Sequence, residues 1–141
     1  MILTLPWPPS VNVYWRMVTI KGSGRVLISK EGRDYRTAVI RIVTAARQNL
    51  LLTSRLSCRI IGSPPDNRRR DVDNWPKAIL DSLQYAGVYE DDSQIDDLHI
   101  YRAPKCQGGQ VIVKLRPSVR LYGKAPAQEA FSLRVASGAP M

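Results

Sequence analysis

Two aspartates stand one residue apart in the stretch "RRRDVDNWPKAILDSL", which covers residues 68 to 83. In an extended backbone residues i and i+2 point the same way, so Asp71 and Asp73 would present two carboxylates side by side. Two such charges repel each other, and holding them together requires a raised pKa or a bound cation. Because oxygen is the only ligand type and no His or Cys is near, we expect Mg²⁺, with Mn²⁺ as a substitute, rather than zinc.

A divalent cation bound by these two aspartates favours phosphodiester hydrolysis. A divalent cation makes a bound water more acidic and neutralises negative charge that develops on phosphate oxygens. Lys77 lies one helical turn beyond the second aspartate, where it would hold the scissile phosphate or stabilise the leaving oxygen. Arg68, Arg69 and Arg70 would bind the flanking phosphates. The acidic turn "EDDSQIDD" follows about 20 residues later, after one helix and a glycine, and it makes a third carboxylate available.

The distribution of charge supports an acidic site on a basic protein. The chain of 141 residues has a net charge of +9, which is typical of proteins that meet phosphate backbones or anionic membranes. Nine of the twelve acids lie between Asp66 and Asp97, where the net charge is −5, while the rest of the chain carries +14. Phosphate repulsion at such a patch would weaken a passive nucleic-acid binder. The alternative is that these acids cap helices and form surface ion pairs.

Length and composition predict one domain without a membrane span. The sequence has no run of about 18 apolar residues, and "MILTLPWPPS" lacks the basic and long apolar regions of a signal peptide, so we expect a cytoplasmic protein. Cys58 and Cys106 have no CxxC partner or nearby histidine, and we expect both to be packing residues. The single histidine, His99, has no nucleophile that it would activate within reach.

Two helices are predicted from apolar spacing. Ser29 is a suitable N-cap for a helix to about residue 49, with a buried stripe of Tyr35, Ala38, Val39, Ile42, Val43 and Ala46. The arginines of that helix, at 33, 36, 41 and 47, are expected on its solvated face. Asp73 or Asn74 would cap a second helix that Gly87 ends, with Ile79, Leu80, Leu83 and Ala86 buried. Lys77 and Asp81 are four residues apart and would pair along its other face.

The strands are predicted from alternation and turn residues. Residues 2–5 form a short strand, "MVTI" and "RVLI" flank a turn at "KGSG", and residues 55–62 form a strand with Leu56, Cys58 and Ile60 on one side. Residues 95–103 and 110–116 look like two strands joined by "PKCQGG", which predicts a hairpin. The remaining tail is rich in Ala, Ser, Gly and Pro, and we expect it to be flexible or a short docked arm.

The motifs together resemble the RusA family of Holliday junction resolvases, which phages and prophages often carry. The resemblance rests on "RRRDVDNWPKAILDSL" and "GVYEDDSQIDD", preceded by "LPWPPSVNVYWR" and "SKEGRDYR" and followed by a "GG" turn. It implies a small mixed α/β (α+β) fold, in which two main helices pack on a mixed β-sheet in one domain over residues 1–117, with residues 118–141 as a tail. It also implies a homodimeric, Mg²⁺-dependent endonuclease that cuts four-way DNA junctions symmetrically in recombination and repair.

The resemblance also assigns site residues. It makes Asp71, Asp73 and Asp92 the catalytic metal ligands with Asp91 adjacent, and it makes Lys77 the functional lysine. The arginine run, Asn12 and Tyr14 match positions that contact DNA. A dimer suits the reaction, because two symmetric nicks need two sites related by a twofold axis. Two alternatives stay open: a metal-dependent nuclease acting on flaps, forks or other branched DNA, and a non-catalytic DNA-binding protein whose acids are caps and ion pairs.

Overall fold

The computed structural model describes residues 1–118, which form a four-stranded sheet, a separate two-stranded hairpin and three helices. The elements in chain order are β1 (Ile2–Leu5), α1 (Val11–Tyr14), β2 (Trp15–Ile20), β3 (Ser23–Ile28), α2 (Lys30–Ala45), β4 (Leu56–Ser63), α3 (Pro76–Tyr85), β5 (Ile95–Arg102) and β6 (Gln110–Pro117). Short 3-10 turns at Val72–Asn74 and Asp92–Gln94 precede α3 and β5. The mixed α+β class is therefore confirmed. The tail predicted for residues 118–141 lies outside the described residues except for Ser118.

The strand order in the main sheet is β1-β6-β4-β5. β6 runs antiparallel to both of its neighbours, whereas β5 runs parallel to β4. The predicted hairpin of the last two strands is therefore wrong, because β4 lies between them. β4 carries Leu56, Cys58 and Ile60 fully buried, and a strand of this kind is most stable with a neighbour on each side. The connection at residues 103–109 passes the end of β4 instead, where the Ala103 amide donates to the Gly62 carbonyl oxygen at 2.8 Å.

One face of the sheet and the two longer helices enclose the core. Tyr35, Val39 and Val43 of α2 are buried there, as the spacing predicted. The Ser29 hydroxyl accepts a hydrogen bond from the Gly32 amide at 3.0 Å, so the predicted N-cap is confirmed. α2 ends at Ala45 rather than near residue 49, and Ala46 is exposed.

α3 begins differently from the sequence prediction. Its N-cap is Trp75, followed by Pro76 in the first turn, and neither Asp73 nor Asn74 caps it. The Trp75 side chain is buried, and the chain reaches it through the 3-10 turn at Val72–Asn74, which contains both candidate caps and leaves Trp75 at the N-cap position. Gly87 follows the last turn with a φ of +81°, as expected of a glycine C′ residue. The correction leaves the Asp73 carboxylate free of a capping role.

No helix within residues 1–118 is both long enough and apolar enough to cross a membrane.

Candidate active site

Trp75 anchors the segment that carries the paired aspartates. Its ring packs beside Trp7, with the ring centroids 5.0 Å apart, and rests on the backbone of Gly62 in β4. A Cβ atom at position 62 would lie 2.6 Å from the Trp75 Cη2 atom, so the ring fits only because this residue is glycine. The 3-10 turn before Trp75 also contacts β5. Asp71 and Asp73 therefore project from a turn whose end is fixed in the core.

The two aspartates are exposed, and their carboxylates have no hydrogen-bond or ion-pair partner within the described part of the chain. Exposed carboxylates without a partner stay hydrated, so they keep their oxygen atoms available to a ligand. Asp71 and Asp73 thus lie on one surface turn, but Val72–Asn74 is a 3-10 turn rather than the extended backbone on which the side-by-side prediction rested.

Asp92 is joined to this region through Lys77. The Lys77 Nζ donates to the Asp92 Oδ2 at 2.8 Å, and the Asp92 amide donates to the Gln84 Oε1 at 3.0 Å. Both partners lie on α3, one in its first turn and one near its last. The acidic turn at residues 90–97 therefore contacts the helix that follows Asp73, although it precedes the end of β5 that pairs with Leu56 at the start of β4. The predicted Lys77–Asp81 pair is wrong, because Asp81 is bound by Arg36 instead.

Asp91 has a structural task in the same turn. Its carboxylate accepts from the Ser93 amide at 2.9 Å, and its own amide donates to the Gln94 Oε1 at 2.8 Å, which together form a capping box. These hydrogen bonds from Ser93, together with the positive charge of Lys77, lower the pKa of Asp91. Gln94 is buried and donates to two backbone carbonyls, of Leu52 and Ser54. The backbone that presents Asp92 is therefore firmly held.

The donor atoms suit a hard divalent cation, since Asp71, Asp73 and Asp92 offer only carboxylate oxygens. Within residues 1–118, however, no three His, Cys, Asp or Glu side chains converge closely enough to hold a metal ion. The donor atoms of these residues thus suit Mg²⁺. Within the described chain, however, Asp92 is paired with Lys77, and the carboxylates do not form a preformed metal site.

The three arginines before Asp71 divide into two kinds. Arg70 is largely buried, donates to the Asp66 carboxylate at 2.7 Å and lies over the Trp7 ring. Its guanidinium and the Arg68 amide lower the pKa of Asp66 to about 2. Arg68 and Arg69 are exposed. Arg70 therefore holds the loop in shape, and the other two present their charges to solvent.

A cleft of about 320 Å³ lies beside this loop, and two of its bases were missed by the sequence analysis. Arg102 and Lys105 line it together with Arg68, Arg69 and Arg70, and the Arg102 guanidinium donates to the Arg70 carbonyl oxygen. β4 and β5 are parallel, with Gly62 opposite Arg102, so their carboxyl ends meet at this edge. Both bases lie in the sequence "YRAPK", but the predicted hairpin of the last two strands placed this segment away from the arginine run.

The two amino-terminal residues have different environments. Asn12 is exposed and lines a groove of about 580 Å³ with Val11, Trp15, Met17 and Val26. Tyr14, which was also expected to contact DNA, is fully buried, and its hydroxyl donates to the Asp81 carboxylate. As folded here, Tyr14 has no surface to offer to DNA. Arg36, expected on a solvated face, is largely buried against the same carboxylate.

Comparison with known proteins gives a matching family model and several similar proteins. The model of the RusA family, described as "Endodeoxyribonuclease RusA", matches residues 6–116. The "Crossover junction endodeoxyribonuclease rusA" of Enterobacteria phage HK97 is 43% identical over 111 residues, which are 79% of this chain and 89% of the phage protein. Proteins of the same name from Shigella sonnei (strain Ss046) and Escherichia coli (strain K12) are 42% and 41% identical over 109 residues, which are 77% of this chain and 88% of theirs. The chain belongs to the RusA family, as its motifs predicted.

Proposed function

We propose that this chain is a crossover-junction endodeoxyribonuclease that resolves four-way DNA junctions by paired, symmetric phosphodiester cleavage in recombination and repair. Family membership supports the reaction class. The observation that carries the assignment of the site is the 2.8 Å contact between Lys77 and Asp92, because it joins the two acidic segments at one helix. We further propose that the protein acts in the cytoplasm, on DNA of the nucleoid.

Asp71, Asp73 and Asp92 are the proposed ligands of Mg²⁺. A bound Mg²⁺ would supply an activated water and would neutralise charge on the phosphate. Lys77 would contribute a second positive charge beside the scissile phosphate, and its ammonium would stabilise the leaving oxygen. Gln84 would keep Asp92 in place through the backbone. Asp91 would support the turn rather than bind the ion, because its carboxylate already accepts from Ser93.

The basic cleft is the proposed contact for the DNA backbone next to the cut. Arg68, Arg69, Arg102 and Lys105 are exposed along it, and each would neutralise one phosphate. Phosphate contacts fix the position of a duplex without reading its sequence. Asp71 directly follows these arginines in the chain, so the DNA held in the cleft would pass over its carboxylate, where a bound cation would offset the repulsion.

A second copy of the chain is the proposed partner at the β2–β3 hairpin. Met17 and Val26 face each other across the hairpin with 77% and 59% of their surface exposed, and Leu27 and Ile20 are exposed on its opposite face. A two-stranded hairpin is marginally stable alone, and clustered exposed apolar side chains mark association surfaces. A twofold dimer through this hairpin would supply the two sites that two symmetric nicks require.

Cleavage of defined substrates tests the proposal. The wild-type chain and its Asp73→Asn variant are incubated with a synthetic four-way junction, a flap and a linear duplex, each with Mg²⁺ and with EDTA. We expect Mg²⁺-dependent, paired cuts in the junction alone, and none from the variant. Cleavage that persists in EDTA or in the variant would refute the metal and carboxylate mechanism. Equal cleavage of flap and junction would favour a broader branched-DNA nuclease, and binding without any cleavage would favour a non-catalytic protein.

A further inference from the structure

A largely buried polar cluster links the three helices behind the site. The Asp81 carboxylate on α3 accepts from the Arg36 Nη2 of α2 at 2.7 Å and from the hydroxyl of Tyr14 at the end of α1. The Arg36 Nε also donates to the Tyr14 hydroxyl oxygen at 2.8 Å. The guanidinium lies 4.3 Å from the centre of the Tyr85 ring, which covers it from the other side. Asp81 is therefore bound by donors from two other elements.

The position of Asp81 on α3 gives this cluster a link to the site. Asp81 lies four residues after Lys77, and side chains at this spacing are neighbours on a helix surface. A lysine and an aspartate so placed form an ion pair when neither has another partner. In the structure both have another partner, because Asp81 is bound to Arg36 and the Lys77 Nζ reaches Asp92 at 2.8 Å. The carboxylate nearest along the helix is thus kept away from the lysine.

We propose that Arg36 and Tyr14 are positioning residues for Lys77. By binding Asp81 they remove a competing carboxylate, and the lysine then stays directed toward Asp92 and the reacting phosphate. This inference rests on the proposed function, since it concerns the lysine of that site. It also gives Tyr14 a role that its burial permits, in place of the DNA contact expected from the family resemblance.

The surroundings of the cluster keep its hydrogen-bond donors in place. Burial and the neighbouring Asp81 raise the pKa of Tyr14, so its hydroxyl stays protonated and donates. The Tyr14 carbonyl accepts from the Ser29 amide at 3.0 Å, and a Cβ atom on Gly32 would come within 2.8 Å of that same oxygen. The start of α2 therefore packs directly against the Tyr14 backbone and fixes its ring.

A double-variant experiment separates positioning from simple stabilisation. Arg36→Met frees Asp81 to capture Lys77, and we expect single-turnover junction cleavage to fall about two- to fivefold, the range in which an exposed ion pair competes. Junction affinity in EDTA should stay unchanged. Adding Asp81→Asn removes the competitor, so cleavage should return to the wild-type rate although the cluster stays broken. Asp81→Asn alone should cleave at the wild-type rate, as should Arg41→Met, which removes an exposed arginine of the same helix.

Several outcomes would overturn the inference. If the double variant cleaves as slowly as Arg36→Met or more slowly, the cluster acts through stability alone. If Arg36→Met cleaves at the wild-type rate while Lys77→Met does not, the lysine needs no positioning. A wild-type chain that cuts no junction would instead refute the proposed function. A crystal structure of Arg36→Met gives a readout independent of activity: we expect the Lys77 Nζ beside Asp81, and a lysine still on Asp92 would contradict the proposal.

If Arg36→Met does not fold, Tyr14→Phe removes one donor to Asp81 and keeps the ring. Its cleavage should fall, and Asp81→Asn should restore it in the same way. An unrestored double variant would contradict the inference.

Discussion

Replacing Asp92 with asparagine should abolish most cleavage while leaving the fold intact. The substitution keeps the shape of the side chain and removes its negative charge. The Asp92 amide still donates to Gln84, and Gln94 still anchors the turn through the Leu52 and Ser54 carbonyls. The substitution weakens the ion pair with Lys77. The variant therefore tests the charge of this carboxylate separately from the backbone that carries it.

The expected loss of stability is small. The Lys77 and Asp92 side chains are 48% and 27% exposed, and their atoms are 2.8 Å apart. Exposed pairs of this kind contribute about 0.2–1 kcal/mol to the free energy of unfolding. For a domain of this size, a loss of 1 kcal/mol lowers the melting temperature by about 4 °C. Removing a charge that acts on the transition state costs far more, about 100- to 1,000-fold in the cleavage rate.

Two measurements test these magnitudes. Single-turnover cleavage of a four-way junction in Mg²⁺ gives the rate, and thermal unfolding followed by circular dichroism gives the stability. Asp34→Asn is the matched control, because it removes an exposed ion pair of 2.9 Å with Lys30 on α2. The control should unfold slightly earlier and cleave normally. Cleavage by Asp92→Asn within about threefold of wild type would refute the assigned site, since a transition-state charge contributes more than that. A loss of stability above about 3 kcal/mol would make Asp92 a structural residue, since exposed pairs contribute far less.

Three further changes test the supports of the site. Gly62→Ala should lower the free energy of unfolding by about 1–3 kcal/mol in urea, because its Cβ would overlap the Trp75 ring, whereas Gly24→Ala, with open space around it, should change little. Arg69→Gln should reduce the slope of log affinity against log salt by about 1 in fluorescence anisotropy, with the cleavage rate at saturation unchanged, and an unaltered slope would remove this arginine from the DNA contact. Met17→Lys should convert the proposed dimer to a monomer in analytical ultracentrifugation, and a variant that stays dimeric would place the interface away from the hairpin.

The sequence predicted the local features of the fold better than the pairing of its strands. The Ser29 cap and the glycine end of α3 depend on neighbours within a few residues and were confirmed, and the predicted stripe of α2 was confirmed at Tyr35, Val39 and Val43. The partner of β5 depends on which strand must be buried on both sides, and that is a property of the whole sheet. A glycine-rich turn before β6 therefore favoured the wrong hairpin.

The same distinction holds for the candidate site. The types and spacing of Asp71, Asp73 and Lys77 are visible in one short stretch, whereas the contact of Asp92 with Lys77 on α3 could not be read from the sequence. The predicted partner of Asp81, Lys77, was wrong. A neighbour on the same helix can be read from the sequence, whereas the contact with Arg36 depends on how α2 packs against α3. Arg102 was missed for a related reason, since its place in the basic cleft follows from the parallel pairing of β4 and β5.

α3 connects the two halves of the site, and the way it is fixed has a consequence for function. Its first turn follows Trp75, which Gly62 holds in the core, while Asp81 in its middle is held by Arg36. A disturbance at Trp75 acts on the turn that carries the paired aspartates, whereas loss of the Arg36 contact frees Asp81 to compete for Lys77 and its contact to Asp92. Damage at the two anchors should therefore differ in kind: the first should weaken the proposed metal binding, and the second should slow cleavage at saturating Mg²⁺. If variants at the two anchors lost metal binding and cleavage rate in the same way, the site would be one cooperative unit rather than two separately supported halves.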